Sequence, residues 1–139
     1  NRYLYYLTPS GFAEKARLAR EYLSYSLQFY KNAREECDKI LTNCHKEGSK
    51  NILLSDKNEL AEIVILSSLN APVSIVGIMG KESACLGVPA IEKVSNSLKF
   101  DKIIITDMLS TDKRFKYLCK IHGAQKIILP NILKNKIGK

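Results

Sequence analysis

The sequence predicts an α/β protein: a small parallel sheet of about five strands, preceded by one long helix. A 3.5-residue apolar repeat runs unbroken from Phe12 to Cys44, the pattern of a single extended helix. Beyond Gly48 come short runs that are almost wholly apolar: Ile52-Leu53-Leu54, Ser74-Ile75-Val76, Ile103-Ile104-Ile105 and Ile127-Ile128-Leu129. Strands covered on both faces read this way. Helix-like stretches separate the runs, and that alternation is the mark of βαβ units.

Tyr3 to Leu7 opens the chain as a strand. Thr8 then suits a helix N-cap, and Pro9 the first helical position, where its missing amide costs nothing. The inward positions of the helix step by four and three through Phe12, Ala16, Ala19, Leu23, Ser26, Tyr30, Ala33, Cys37, Ile40 and Cys44. From Pro9 to His45 this helix is about 50 Å long at about 1.5 Å per residue, more than a small domain needs, so it must pack on something else. Small residues on the seam (Ala16, Ala19, Ser26, Ala33) permit close helix approach, while Tyr22, Tyr25 and Phe29 widen the apolar surface. The expectation is a dimerisation or interdomain helix, with Ala16, Ala19, Leu23, Ser26, Tyr30, Ala33, Cys37 and Ile40 at the contact. Cys37 and Cys44 are expected to be packed thiols.

Glu47-Gly48-Ser49-Lys50 breaks the helix and divides the chain into residues 1–48 and 49–139. In the second part the expected order is strand 51–55, helix 59–69, strand 73–79, a short strand near 89–91, helix 92–98, strand 102–106, helix 112–122 and strand 126–129.

Composition bounds the function classes. With 139 residues, 45% hydrophobic and 26% charged, the chain can bury a core and is not disorder-like. No apolar run approaches the roughly 20 residues of a bilayer span, and no signal peptide is apparent, so a cytoplasmic protein without membrane contact is expected. The absence of an initiator Met makes the chain read as part of something longer. A net charge of +8, with only basic side chains after Asp112, permits contact with nucleic acid or acidic ligands, but a solvated basic face is the commoner explanation. Four cysteines form no C-x-x-C pair and the two histidines lie far apart, so no metal site is expected; Cys44 beside His45 reads as a buried thiol next to a solvated imidazole. Reduced thiols are the simplest assumption.

The turn after the first strand of the sheet is Asp56-Lys57-Asn58, where a nucleotide-binding βα turn carries glycines. Asp and Asn tolerate left-handed backbone, so the turn's shape can survive their presence, but a carboxylate at Asp56 opposes a phosphate. Ligands of open α/β sheets bind at the carboxyl ends of the strands. The candidate ligand residues are therefore Ser55, Asp56, Lys57, Asn58, Gly80, Lys81, Thr106 and Ser110. Ser110 and Thr111 read equally as the cap region of the next helix, and the cap is favoured. No Tyr-x-x-x-Lys pair follows Thr106, since the fourth position after Tyr117 is Ile121.

Two stretches carry family resemblances. Tyr6-Leu7-Thr8-Pro9-Ser10-Gly11-Phe12-Ala13-Glu14-Lys15-Ala16-Arg17 resembles the end of the wing and the following helix in winged-helix regulators of the MarR type, particularly those encoded with exopolysaccharide genes. That implies a wing-strand remnant at the start of the chain, a homodimer, and DNA binding through a domain upstream of Asn1. Residues 51 to 130 resemble the Rossmann-like domain of sugar-nucleotide enzymes of polysaccharide biosynthesis. The likeness rests on Leu60-Ala61-Glu62-Ile63, Val76-Gly77-Ile78-Met79-Gly80, Leu86-Gly87-Val88-Pro89 and Asp101-Lys102-Ile103-Ile104-Ile105-Thr106. It implies NAD or a nucleotide sugar as ligand. The chain departs from that pattern at the glycine turn and at Gly80, where family members carry an Asp that holds a ribose hydroxyl. Together these readings lead to the expectation of a non-catalytic, ligand-sensing and dimerising region of a DNA-binding transcription regulator. The alternative is the nucleotide-binding portion of a sugar-nucleotide dehydratase, epimerase or acyltransferase-type enzyme.

Overall fold

The computed structural model describes residues 8–81, 84–95 and 98–136. The strand expected at Tyr3 to Leu7 lies outside them. Helix α1 (Pro9–Lys46) begins as the sequence indicates: Thr8 Oγ1 accepts the Gly11 amide at 3.0 Å, and Pro9 takes the first helical position. Then follow β1 (Asn51–Leu54), α2 (Glu59–Ser68), β2 (Ser74–Met79), β3 (Ala90–Ile91), β4 (Lys102–Ile104), α3 (Thr111–His122) and β5 (Ile127–Ile128), with short 3₁₀ segments at Ala124–Lys126 and Asn131–Lys136.

The sheet has the order β3-β2-β1-β4-β5 and every pairing is parallel. Leu53 lies beside Gly77 on one flank and Ile103 on the other. Chain order thus reverses between β1 and β4, and the loops leaving these two strands lie side by side at the sheet's carboxyl edge. The β1 and β4 side chains Ile52, Leu53, Leu54, Ile103 and Ile104 are fully or almost fully buried, with Leu60, Ala61 and Val64 of α2, Leu118 of α3, and Leu133 packed into the same core. Gly77 permits this packing locally, because a Cβ there would collide with the Ile91 side chain and press on Leu53 Cδ2 at 3.2 Å. The turn Leu86-Gly87 has positive φ at both residues (49° and 83°) and closes the reciprocal backbone bonds between Cys85 and Val88, the geometry of a tight two-residue hairpin turn.

Two expectations need correction. The helix expected over 92–98 is absent among the described residues, where Glu92 and Lys93 form a bend and the Leu98 amide donates to the Ser95 carbonyl at 3.1 Å. Ser and Asn are poor helix-interior residues, and the sequence Val94-Ser95-Asn96-Ser97 is rich in them. The second correction concerns the α1 seam. The chain divides into two compact units, Asn1–Asn32 and Ala33–Lys139. In the second unit Ala33 (0% exposed), Cys37 (1%) and Ile40 are buried with Leu41 and Cys44, so these three seam residues are covered by the chain itself and are not available to a partner. The α1 turns of this unit are tied to the chain's last segment by Asn131, whose amide donates to Glu36 Oε1 at 2.8 Å. In the first unit Ala19, Leu23 and Tyr30 are exposed and Ala16 and Ser26 half-buried, with Phe12, Leu18, Tyr22 and Tyr25 also open to solvent.

All four cysteines are free thiols. Burial, aided by the neighbouring carboxylates of Asp38 and Glu36, pushes the Cys37 thiol up to about 12. No described helix is long and apolar enough to cross a membrane.

Candidate functional site

The loops after β1 and β4 are stitched together by side chains. Ser55 continues the β1 ladder, its amide donating to the Ile104 carbonyl at 3.1 Å, which turns its hydroxyl towards the β4 loop. There Ser55 Oγ donates a short bond to Asp107 Oδ1 and accepts the Thr106 amide at 2.8 Å. Thr106 Oγ1 in turn accepts the Asp56 amide at 2.9 Å and donates to the Asp56 carbonyl at 2.7 Å. A hydroxyl can do both because it is donor and acceptor at once.

Asn58 performs three tasks from one amide. Its Oδ1 caps α2 by accepting the Ala61 amide at 3.0 Å, and its Nδ2 donates to the Thr106 carbonyl at 2.6 Å and to Asp56 Oδ2 at 3.3 Å. The β1 turn is therefore held in shape by Asn and Asp side chains rather than by glycine conformations.

Asp107 is the most enclosed charge of the site, 6% exposed. Its Oδ2 takes a hydrogen bond from Arg114 Nε at 3.3 Å, and its carbonyl takes one from Thr111 Oγ1. A buried carboxylate retained without such partners would be strongly unfavourable. Burial, followed by the Asp107 charge, pushes the Asp56 carboxyl above the ordinary carboxylate range, although the Lys57 amide, Arg114 and Asn58 act against it.

Two cavities open on this network. The smaller, about 160 Å³, is lined by Asp56, Lys57, Met79, Gly80, Lys81 and Arg114 among others. The larger, about 360 Å³, is lined by Asp107, Ser110, Lys113, Arg114 and Tyr117. Arg114 is common to both.

The structure thus unites Ser55, Asp56, Asn58 and Thr106 in one hydrogen-bonded network, and sets Lys57, Gly80 and Lys81 around the small cavity beside Asp56. Ser110 faces the larger cavity. It occupies the N-cap position of α3 without a side-chain capping bond, so the cap role expected for Ser110 is not played by its hydroxyl. Exposed Lys81 reaches Glu92 at 3.8 Å. Sequence reasoning missed Asp107, Lys113, Arg114 and Tyr117. Asp107 directly follows a candidate, Thr106, at the end of β4, and Arg114 and Tyr117 recur at helical spacing from Ser110, which is the signal that was there to be used.

The described residues contain no group of three or more His, Cys, Asp and Glu side chains placed to hold a metal ion. No family model, curated protein or solved structure matches this chain.

Proposed function

We propose that this chain is the ligand-sensing and dimerising region of a DNA-binding transcription regulator, with a small molecule seated at the carboxyl edge of the sheet between the β1 and β4 loops. The observation that carries the reading is the cross-linked network Ser55–Asp107–Arg114 and Asp56–Thr106 beside two cavities that share Arg114. Open parallel sheets take ligands where strand order reverses, and that is here. A ligand touching Arg114 or Asp56 acts on both loops at once, and through Asn58 and Thr111 on the first turns of α2 and α3.

The dimerising element is the first-unit part of α1, where Tyr22 (75% exposed) and Leu23 (57%) stand with Phe12, Tyr25 and Tyr30. A 3.5-residue apolar repeat of this kind pairs with a second helix. The last turns of α1 belong to the same compact unit as the site, so ligand occupancy has a continuous helix through which to bias the paired helices, and with them the spacing of the DNA-binding heads.

Sedimentation at tens of micromolar protein tests the dimer: wild type is expected to run as a dimer and Tyr22→Lys/Leu23→Lys as a monomer, and a monomeric wild type overturns this mechanism. A thermal-shift screen tests sensing, since a ligand at 100 times its dissociation constant adds about 2.7 kcal/mol. A second reading, the nucleotide-binding portion of a sugar-nucleotide enzyme, is favoured by the raised Asp56 carboxyl beside a cavity, a property shared by general acids. Turnover of a uridine diphosphate sugar followed by NMR would select it over sensing.

A further inference from the structure

In a dinucleotide-binding turn the pyrophosphate lies on free backbone amides at the N-terminus of the helix after β1. In this chain that place is already filled. Asn58 Oδ1 holds the Ala61 amide, Asn58 Nδ2 holds Asp56 Oδ2, and the first turn of α2 adds Glu59 and Glu62. A phosphate entering there would displace the Asn58 cap and meet three carboxylates. The ribose-anchoring position after β2 is closed as well. Gly80 has φ +137°, a backbone that an Asp side chain would adopt only with strain, and its amide is bound to the Ile91 carbonyl at 2.9 Å.

The wall formed by the first turns of α3 carries cations clear of the α2 carboxylates. Lys113, Arg114, Ser110 and Tyr117 line the 360 Å³ cavity, and Lys113 forms no ion pair with any described residue. Arg114 is partly neutralised by Asp107, which leaves Lys113 as the uncompensated cation of the groove. Tyr117, about half exposed, lines the same cavity. Across the shared Arg114, the smaller cavity presents the Asp56 carboxylate, an acceptor suited to hydroxyl donors, beside Lys57, Lys81 and the apolar Met79 and Ile78.

We infer, resting on the ligand-sensing reading above, that the site takes a phosphomonoester of a hydroxyl-bearing ring, with the phosphate on Lys113 and Arg114, the ring against Tyr117 and the hydroxyls turned towards Asp56. This is the reverse of a dinucleotide's orientation, in which phosphate meets the β1 turn and hydroxyls meet the end of β2. The two cavities together have the volume of a small-molecule site.

Calorimetric titration with glucose 1-phosphate, uridine monophosphate, NAD⁺ and inorganic phosphate tests the assignment on wild type, Lys113→Ala, Asp56→Asn and Lys57→Ala. At least one phosphomonoester is expected to bind about tenfold more tightly than both NAD⁺ and inorganic phosphate. Lys113→Ala is expected to weaken it about five- to tenfold. Asp56→Asn is expected to weaken the ester about threefold and leave inorganic phosphate unchanged. Binding by only one of the two esters supports the inference and names the ring. NAD⁺ binding best, or ester binding that survives Lys113→Ala and is lost in Lys57→Ala, overturns the reversed orientation while leaving ligand sensing in place. Binding by none of the four overturns the inference, and a subsequent shift with some other small molecule would show that sensing itself survives.

Discussion

At the amino edge of the β1–β4 pair, Asp101 accepts the amides of Lys50 and Asn51 at 2.8 and 2.9 Å, whereas at the carboxyl edge Asp56 and Asp107 are engaged by Ser55, Asn58 and Arg114 side chains, and Asp56 lies in the field of Asp107. The same residue type joins the same two strands at both ends, with opposite electrostatic outcomes. Two backbone donors hold the Asp101 carboxyl below its ordinary range, while burial and a second carboxylate hold Asp56 above it. Donors placed by the backbone make a clamp that stabilises the pair. Like charges gathered under partial burial are tolerated only at a local cost, and such arrangements gather where a ligand is to be met.

Substitutions break or sharpen that contrast in a definite order. Asp107→Ala is expected to have the largest effect, a loss of about 2–3 kcal/mol in denaturant unfolding, because it strips the partner from half-buried Arg114 and an acceptor from the buried Ser55 hydroxyl. If Asp107→Ala cost no more than a surface change, the carboxyl-edge network would be no more than loosely formed.

Asp101→Ala comes next, at about 1 kcal/mol, since exposure discounts two charge-assisted bonds. Its pH dependence follows from a depressed carboxyl: the stabilisation is complete above the unfolded value near 4 and disappears as pH falls through the lower folded value. The difference between wild type and Asp101→Ala should accordingly persist from pH 7 to pH 5 and shrink below about pH 4. A difference independent of pH would assign it to packing instead.

Asn58→Ala is expected to cost about 1 kcal/mol through the lost α2 cap, and also to loosen the Asp56 turn that Asn58 ties to the Thr106 carbonyl. Amide hydrogen exchange at Ala61 and neighbouring residues would report the two losses together. Asp56→Asn should have the smallest effect and the opposite sign, a gain of no more than about 0.5 kcal/mol at neutral pH. A raised carboxyl penalises the folded state above its folded value, and the penalty is relieved as pH falls towards the unfolded one. The gain should vanish below about pH 4. A loss of stability at pH 7 would mean that Asp56 serves the fold, as Asp101 does, and the contrast between the edges would collapse.

Much of this was legible before any coordinates. The βαβ alternation gave a parallel sheet because runs such as Ile103-Ile104-Ile105 have no polar face to turn to water. Thr8-Pro9 marked the start of α1, and Asp56 and Asn58 stood out as odd occupants of a glycine turn. What could not be read was their division of labour. Asn58 became a cap and a strut because Thr106, 48 positions away, offers its carbonyl to the same amide. Sequence reasoning missed Asp107, and only the return of β4 beside β1 brought it to Ser55. The helix expected at 92–98 is absent among the described residues for a local reason written in the sequence, its Ser and Asn content.

The long helix marks the boundary between the two sources of information. Sequence alone determined that Pro9 to Lys46 is helical and which of its faces is apolar, because propensity, capping and a 3.5-residue repeat act between residues a few positions apart. It did not determine what covers that face. Ala33, Cys37 and Ile40 lie buried within the sheet-bearing unit, while Leu23 and Tyr30, members of the same repeat, remain exposed. Burial, like the meeting of Ser55 with Asp107, depends on chain segments many residues apart arriving at one place, and periodicity along a single helix carries no record of that arrival.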